Sequence, residues 1–218
     1  MTLSAVFIQH TKKIFQITVL ALLSTCATVQ AKSSGEKLYQ QCTACHGLQG
    51  EGVEALNAPT IAGQDAQYIK RQLNSFSAEL RGKSTQAKTM VAVAKNLTKA
   101  DIDEVASYIQ AMPIAEQPSK SDITGNLKNG SRYYQAKCGA CHGGQAQGNK
   151  GFNAPRLAQQ SSQYLRQQMQ DFVSGKRGYD QQDKFGRQMA MMAKTTKDQE
   201  LEDILFYISK QQVNSKAK

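Results

Sequence analysis

The sequence predicts an all-α protein built from two homologous domains. Apolar residues recur at three- and four-residue spacing in the segments 98–112 and 198–210, which is the period of an amphipathic helix. No stretch alternates apolar and polar residues for long enough to indicate a β-strand. Residues 42–82 match residues 138–178 at a constant offset of 96 positions, with 18 of 41 residues identical. This repeat indicates a duplicated domain.

The N-terminal segment is typical of an export signal. His10, Lys12 and Lys13 precede an apolar stretch, no acidic residue occurs before Ala31, and a small-residue cleavage site ends there. The apolar stretch is shorter than the roughly 20 residues needed to cross a bilayer. We therefore expect residues 1–31 to be removed and the mature chain to be soluble, with an uncleaved membrane anchor as the alternative.

Two matched pairs of helices are predicted after this segment. In the first domain, residues 32–111, we expect helices over 64–76 and 98–112, the latter with Thr98 as N-cap and Asp101 completing a capping box. The second domain, residues 123–218, repeats them over 160–173 and 198–210. Residues 112–122 contain two prolines and several small polar residues, which is typical of a linker.

The composition indicates globular domains with unusually few large side chains. Of 218 residues, 40% are hydrophobic and 7% aromatic, and there is no tryptophan. Charged residues make up 20% without forming an acidic or basic block, which excludes a disordered tail protein. Two domains of about 90 residues each would therefore have few large side chains for their cores, and a bound group could fill the remaining core volume.

Two C-x-x-C-H motifs carry the predicted chemistry. Cys42, Cys45 and His46 form the first motif, and Cys138, Cys141 and His142 form the second. This spacing is that of covalent c-type haem attachment, in which two thiols on one turn bond the porphyrin and the following histidine binds the iron. The sequence therefore predicts two covalent haem c groups, one in each domain.

Other uses of the cysteines are less compatible with the pattern. Two C-x-x-C pairs can form a zinc centre with four cysteine ligands, and an exported chain can use such pairs as a redox dithiol or as disulfides. None of these uses requires a histidine after each pair, and none requires one complete motif in each domain.

The second axial ligand of each iron follows by elimination. His46 and His142 are the only histidines after residue 31, and the four remaining cysteines are assigned to the porphyrin. Methionine is the remaining strong ligand, and Met90 and Met189 are the methionines at equivalent positions of the repeat. We therefore predict them as axial ligands, with Met192 as the alternative in the second domain.

These motifs resemble the dihaem cytochrome c4 family, which consists of two class I cytochrome c domains in tandem. The shared pattern includes the Asn-Ala-Pro turn and the Tyr-x-x-x-Gln-x-x-x-Phe helix that leads into Arg-Gly. The resemblance implies that the carbonyls of Pro59 and Pro155 hold the two histidines, and that haem propionates meet near a pseudo-twofold domain interface. It also makes Arg81 and Arg177 candidates for pairing with propionates, with a solvated surface arginine as the alternative. Three residues inserted before Met189 predict a longer methionine loop there.

The predicted function is one-electron transfer. Histidine and methionine ligation leaves no vacant iron position and raises the reduction potential. The resemblance implies a periplasmic carrier between a quinol-oxidising complex and a terminal oxidase, and not an enzyme. Two alternatives remain: the electron-accepting subunit of a larger periplasmic dehydrogenase, and a dihaem peroxidase with an exchangeable iron position.

The net charge bears on the partners. The whole sequence has a formal charge of +10, and removal of residues 1–31 takes away two lysines and no acid. A moderately basic surface favours an acidic docking face on a redox partner, with transient association at a membrane surface as a further possibility. Nucleic acid binding is not expected, because the sequence predicts export and contains no cluster of lysine and arginine.

Overall fold

The computed structural model describes residues 34–114 and 123–212, and helices form almost all of its regular structure. In chain order, the α-helices are α1 Ser34–Tyr39, α2 Thr43–His46, α3 Ala66–Ser77, α4 Thr85–Ala94, α5 Lys99–Ala111, α6 Leu127–Tyr134, α7 Ala140–His142, α8 Ser162–Val173, α9 Lys184–Lys194 and α10 Asp198–Ser209. The β structure within these two ranges is limited to two isolated bridges. The all-α prediction is therefore confirmed. The expected signal segment and residues 115–122 of the expected linker lie outside the described residues.

Side-chain caps set where three of the four predicted helices begin. Thr98 and Asp101 form the predicted capping box, so α5 begins at Lys99. The helices α3 and α8 begin two residues later than predicted because Asp65 and Ser161 accept a hydrogen bond from the backbone of the third following residue. The repeat is thus preserved at the level of capping, although the two capping residues differ.

Each half brings its first helix across its last helix. In the first half α1 packs on α5, and in the second α6 packs on α10. A glycine lies at each crossing: a Cβ atom at Gly35 would lie 2.5 Å from the carbonyl oxygen of Glu104, and one at Gly130 would lie 2.0 Å from that of Asp203. Only glycine therefore allows the two backbones to approach this closely.

The two halves have separate hydrophobic cores. The first core includes Phe76, Ile102 and Ile109, and the second includes Ile204 and Ile208. The largest fully buried side chains are Tyr39, Tyr134 and Leu205. Met112, which we expected to begin the linker, is buried in the first core.

The boundary between the halves lies within one compact unit, which holds all of the described residues, and is built symmetrically. Gln64 binds both backbone groups of Arg156, at 3.0 and 3.1 Å. Its equivalent, Gln160, binds both backbone groups of Thr60, at 2.9 and 3.0 Å. Because Thr60 and Arg156 are also equivalent in the repeat, these contacts relate the two halves by a pseudo-twofold axis. Each glutamine side chain thus supplies the hydrogen-bond partners for the backbone N–H and C=O of one residue in the opposite half.

No helix among the described residues is long and apolar enough to cross a membrane.

The helix crossing gives a stability prediction. We expect Gly130→Ala to lower the free energy of unfolding by about 3 kcal/mol, because the added Cβ meets rigid backbone of α10 and must separate the helices. Guanidinium unfolding of the haem-loaded protein measures the effect. Gly144→Ala is the matched control, since a Cβ there meets only the end of Gln135, at 3.7 Å or more. Equal stability of the two variants would contradict the proposed role of the crossing.

Candidate haem-binding sites

In each half a single helical turn presents the C-x-x-C-H residues. The turn α2 follows a 3-10 turn, Gln40–Cys42, and it leaves Cys45 exposed, Cys42 half-buried and His46 buried. In the second half a π-helical turn leads into α7, with both Cys138 and Cys141 half-buried. In both motifs the histidine is therefore the buried residue, and the two cysteines are more exposed than it is.

The two imidazoles are held in the same way. Nδ1 of His46 lies 3.0 Å from the carbonyl oxygen of Pro59, and Nδ1 of His142 lies 2.9 Å from that of Pro155. Burial lowers the pKa of both histidines, although the carbonyl bonds raise it. A neutral imidazole that donates through Nδ1 leaves Nε2 as a lone-pair donor for a metal.

The Asn-Ala-Pro turn explains how the proline carbonyl reaches the histidine. Asn57 and Asn153 adopt left-handed conformations with φ of 50° and 53°, which asparagine tolerates better than most residues. The following alanines form the isolated bridges with Val53 and Asn149. The chain then passes so close to the loop that a Cβ at Gly52 would lie 2.8 Å from a backbone oxygen.

A buried tyrosine fixes the other side of each motif. The hydroxyl of Tyr39 donates to the carbonyl oxygen of Gly47 at 2.7 Å, and that of Tyr134 donates to Gly143 at 2.8 Å. Both glycines have positive φ, at 83° and 80°, so the chain turns directly after each histidine. The first helix of each half is thereby tied to the C-x-x-C-H turn.

The cysteine environments do not favour a redox dithiol. Burial raises the pKa of Cys42 and of Cys138 to about 11. A reactive dithiol requires a lowered thiol pKa, because the thiolate is the nucleophile. In the described part of the chain all four cysteines are free of disulfides, and no three metal-binding side chains are grouped. The zinc and disulfide alternatives therefore gain no support.

The candidate methionine ligands lie on helices. Met90 is half-buried on α4 and packs against the first core. Met189 is half-buried on α9, and so is Met192 three residues later on the same side of the helix. Met191 is 67% exposed. The insertion before Met189 lengthens the segment that leads into α9. The helix begins at Lys184, and the side chain of the N-cap residue Asp183 accepts a hydrogen bond from the backbone amide of Gly186.

Arg81 and Arg177 contact the opposite half. Arg81 is buried and donates to Gln72 of its own half and to Gln168 of the other, at 2.6 and 2.7 Å. Arg177 mirrors it, donating to Gln168 at 2.8 Å and to Gln72 at 3.2 Å. Arg81 is thus not a solvated surface residue. Each guanidinium also reaches a tyrosine hydroxyl across the boundary, at Tyr164 and Tyr68 respectively.

The arginines change the ionisation of one of these tyrosines. Burial raises the pKa of Tyr68, whereas the positive charges of Arg177 and Arg81 lower it. The lowering outweighs the rise, so the pKa of Tyr68 lies below its ordinary value. The boundary is therefore rich in positive charge, which suits a bound anionic group.

Sequence reasoning missed Arg156. Its side chain is 6% exposed, and its Nε has no hydrogen-bond partner. It occupies the position equivalent to Thr60, and this exchange of a small residue for a cation beside Pro155 was the available signal.

The residues present fit covalent haem in both halves. Each half combines a pair of disulfide-free thiols with a buried histidine whose Nδ1 is hydrogen-bonded to a proline carbonyl. An orphaned buried arginine nitrogen lies at the boundary between the halves, where carboxylate groups of a haem would find a cation.

Comparison with known proteins gives the same result. The family profile "Cytochrome c" matches residues 33–113 and 127–212. The thiosulfate dehydrogenase electron acceptor of Stutzerimonas stutzeri (strain A1501) is 29% identical over 200 residues, which cover 84% of this chain and 88% of that protein. Cytochrome c4 of Azotobacter vinelandii is 28% identical over 177 residues, covering 74% and 84% respectively.

Solved structures share the two-domain fold. Cytochrome c4 of Acidithiobacillus ferrooxidans is 28% identical and superposes with a TM-score of 0.67, covering 78% of this chain and 98% of that one. Reduced recombinant cytochrome c4 from Pseudomonas stutzeri, at 23% identity, shares the fold with a TM-score of 0.65, over 82% of this chain and 97% of that one. The chain belongs to the cytochrome c family, as a tandem electron carrier of the dihaem cytochrome c4 type with two covalently bound haem c groups.

Proposed function

We propose that the protein is a periplasmic carrier of single electrons between a quinol-oxidising complex and a terminal oxidase. The observation that carries this proposal is the duplicated site: each half holds a buried imidazole through Nδ1, beside a thiol pair. Two such sites in one compact unit allow electrons to enter by one half and leave by the other.

Each residue of the site has a separate role in this proposal. The thiols of Cys42, Cys45, Cys138 and Cys141 would hold the two porphyrins, and the imidazoles of His46 and His142 would bind the irons through Nε2. Pro59 and Pro155 keep each ring in one tautomer and one orientation, which limits movement of the ligand when the charge on the iron changes. A bound haem c supplies a one-electron couple, which methionine ligation places at a higher potential.

We assign the second iron ligand of each half to a methionine. Met90 and Met189 lie at equivalent positions, are both half-buried, and offer a thioether with no proton to exchange. With haem c bound, the histidine and the methionine of each half would together leave no iron position open to water or substrate. This arrangement favours electron transfer and disfavours peroxidase chemistry, which needs an exchangeable position.

The methionine assignment is tested by truncation. We expect Met90→Ala to make the first haem bind cyanide and lose its far-red thioether band, while the second haem is unchanged, at a cost of about 2 kcal/mol in stability. Absorption titration with cyanide measures the effect. Met191→Ala is the matched control, because that side chain is 67% exposed and should leave both haems closed.

The same measurement separates the candidates in the second half. Met189→Ala should open the second haem, and Met192→Ala should leave it closed. The reverse result would transfer the ligand role to Met192. Cyanide uptake by Met90→Ala no greater than that of the unmutated protein would refute the assignment in the first half.

A spectroelectrochemical titration tests the carrier function itself. We expect two one-electron steps at positive potential, with a far-red thioether band that accounts for both haems in the oxidised protein. A low-potential step without that band, together with rapid binding of peroxide to the resting protein, would instead indicate a dihaem peroxidase.

The charges of the two halves suggest which half meets an acidic partner. Residues 34–114 contain eight basic and eight acidic residues, whereas residues 123–212 contain thirteen basic and seven acidic residues. Lys184 and Arg187 lie exposed on α9 beside Met191, along a surface groove. We infer that an acidic docking face approaches the second half, through an interaction that salt weakens.

Charge reversal tests this orientation. On a gold electrode coated with a carboxylate-terminated monolayer, the variant Lys184→Glu/Arg187→Glu should exchange electrons about tenfold more slowly at low salt. The control Lys88→Glu/Lys99→Glu makes the same change in net charge on the first half, where both lysines are exposed. Equal slowing of both variants would show that net charge alone governs the approach.

A second candidate is the electron-accepting subunit of a larger dehydrogenase. The specific observation in its favour is the relative from Stutzerimonas stutzeri, which is named a thiosulfate dehydrogenase electron acceptor. Purification from the native host distinguishes the two functions. A stable complex with a dehydrogenase that reduces this protein would favour the subunit, and a free protein oxidised by membranes would favour the carrier.

Export remains part of this proposal. Fractionation of cells that express the full chain should place the haem-containing protein in the periplasm. N-terminal sequencing should show that the exported protein begins at Lys32. An intact N-terminus on a membrane-bound protein would indicate a retained anchor.

A further inference from the structure

Arg156 is fixed at the boundary between the two halves. It directly follows Pro155, whose carbonyl accepts from His142. Its own backbone amide and carbonyl are both bound by the side chain of Gln64 from the first half. The position of the Arg156 Cα is therefore set by both halves, and the side chain that leaves it is almost fully buried.

The guanidinium has only neutral partners. Nη1 donates to the side-chain oxygen of Gln159 at 2.8 Å, and Nη2 donates to the carbonyl oxygen of Ala62 in the first half. Nε is buried without a partner. Burial lowers the pKa of Arg156 to about 10, and no charged group offsets this effect. A buried cation without a counter-charge is unfavourable, so the site favours an anion that completes it.

Two other arginines of the second half have side-chain partners. Arg166 forms a two-point ion pair with Glu202, with distances of 2.7 and 2.6 Å. Arg177 contacts the side chains of Gln168 and Gln72. In the described part of the chain, Arg71 also has a buried Nε without a partner, but its guanidinium lies over the Tyr68 ring and donates to Asn153. Arg156 differs from it because its guanidinium contacts no ionisable side chain.

The cation occurs in one half only. Thr60 occupies the equivalent position in the first half, and its hydroxyl donates to the carbonyl oxygen of Glu51. Any electrostatic effect of Arg156 on a group bound in the second half therefore has no counterpart from Thr60 in the first half.

We propose that Arg156 is the cationic contact of a propionate of the haem held by the second half. A planar guanidinium matches a carboxylate, and the unbonded Nε provides at least one free donor for it. The inference rests on the covalent haem in that half. A buried positive charge beside the propionate opposes oxidation of the nearby iron, so Arg156 raises the midpoint potential of the second haem relative to the first. In this proposal Arg156 binds the propionate directly and is not a ligand of the iron.

Arg156→Met tests the contact. The variant removes the charge and keeps a long apolar side chain. Midpoint potentials are followed separately for the two haems by their methyl NMR signals, assigned to each half by contacts with neighbouring residues. We expect the potential of the second haem to fall and that of the first haem to move much less. The propionate bending band in the resonance Raman spectrum should shift as well.

Two further variants keep the test decisive. Arg156→Lys retains the charge without the planar fork, so the potential should stay near that of the unmutated protein while the propionate band shifts. Arg166→Gln makes the same change in net charge at a partly exposed position, and should move neither potential nor band. If Arg156→Met does not fold, the propionate band of Arg156→Lys still decides the question.

The proposal is overturned if Arg156→Met and Arg156→Lys leave the propionate band unchanged. It is also overturned if the potentials of both haems fall equally, as a change in interface packing would produce, or if only the first haem responds. Haem content and the far-red thioether band are recorded for every variant. Absence of haem and of the thioether band from the unmutated protein would contradict the haem-carrier function. If Arg156→Met retains both but shows no shift in potential, only the role of Arg156 is contradicted.

Discussion

The hydrogen bond between a buried imidazole and a proline carbonyl is the contact on which each half depends. It requires the Asn-Ala-Pro turn, because only a chain that reverses through left-handed Asn57 or Asn153 brings the following proline back to the histidine. It also requires burial, which keeps the ring neutral and leaves Nε2 as the metal-binding nitrogen. The glycine crossings and the tyrosine hydroxyls serve the same geometry, since they fix the first helix against the turn that carries the thiols.

The boundary between the halves is polar and largely symmetric, and side-chain hydrogen bonds cross it in both directions. Gln64 and Gln160 each bind the backbone of the opposite half, and Arg81 and Arg177 each reach both Gln72 and Gln168. Such a network specifies one relative arrangement of the halves, because every buried donor needs its partner. Arg156 departs from the symmetry. The departure matters for a two-centre carrier, since two identical sites would give no electrostatic reason for one potential to exceed the other.

The charge distribution and the site geometry act at different ranges. The excess of basic residues lies in the second half, where it can attract an acidic partner over many ångströms before contact. The buried arginines act only on groups within the boundary, where the local dielectric is low. Orientation of the partner and tuning of the haems can therefore change independently through substitutions of different residues.

The sequence by itself determined the all-α fold, the duplication, the helix capped by Thr98 and the two attachment motifs, because these depend on spacing along the chain. The proline carbonyl contacts followed from family resemblance, and the assignment of Met90 and Met189 remains a prediction. Tertiary structure alone decided that Arg81 is buried against the opposite half, that Met191 is exposed, and that Arg156 lies buried without a counter-charge. The burial of Arg81 and of Arg156 depends on how residues about 90 positions apart meet across a boundary, and local periodicity carries no information about such contacts.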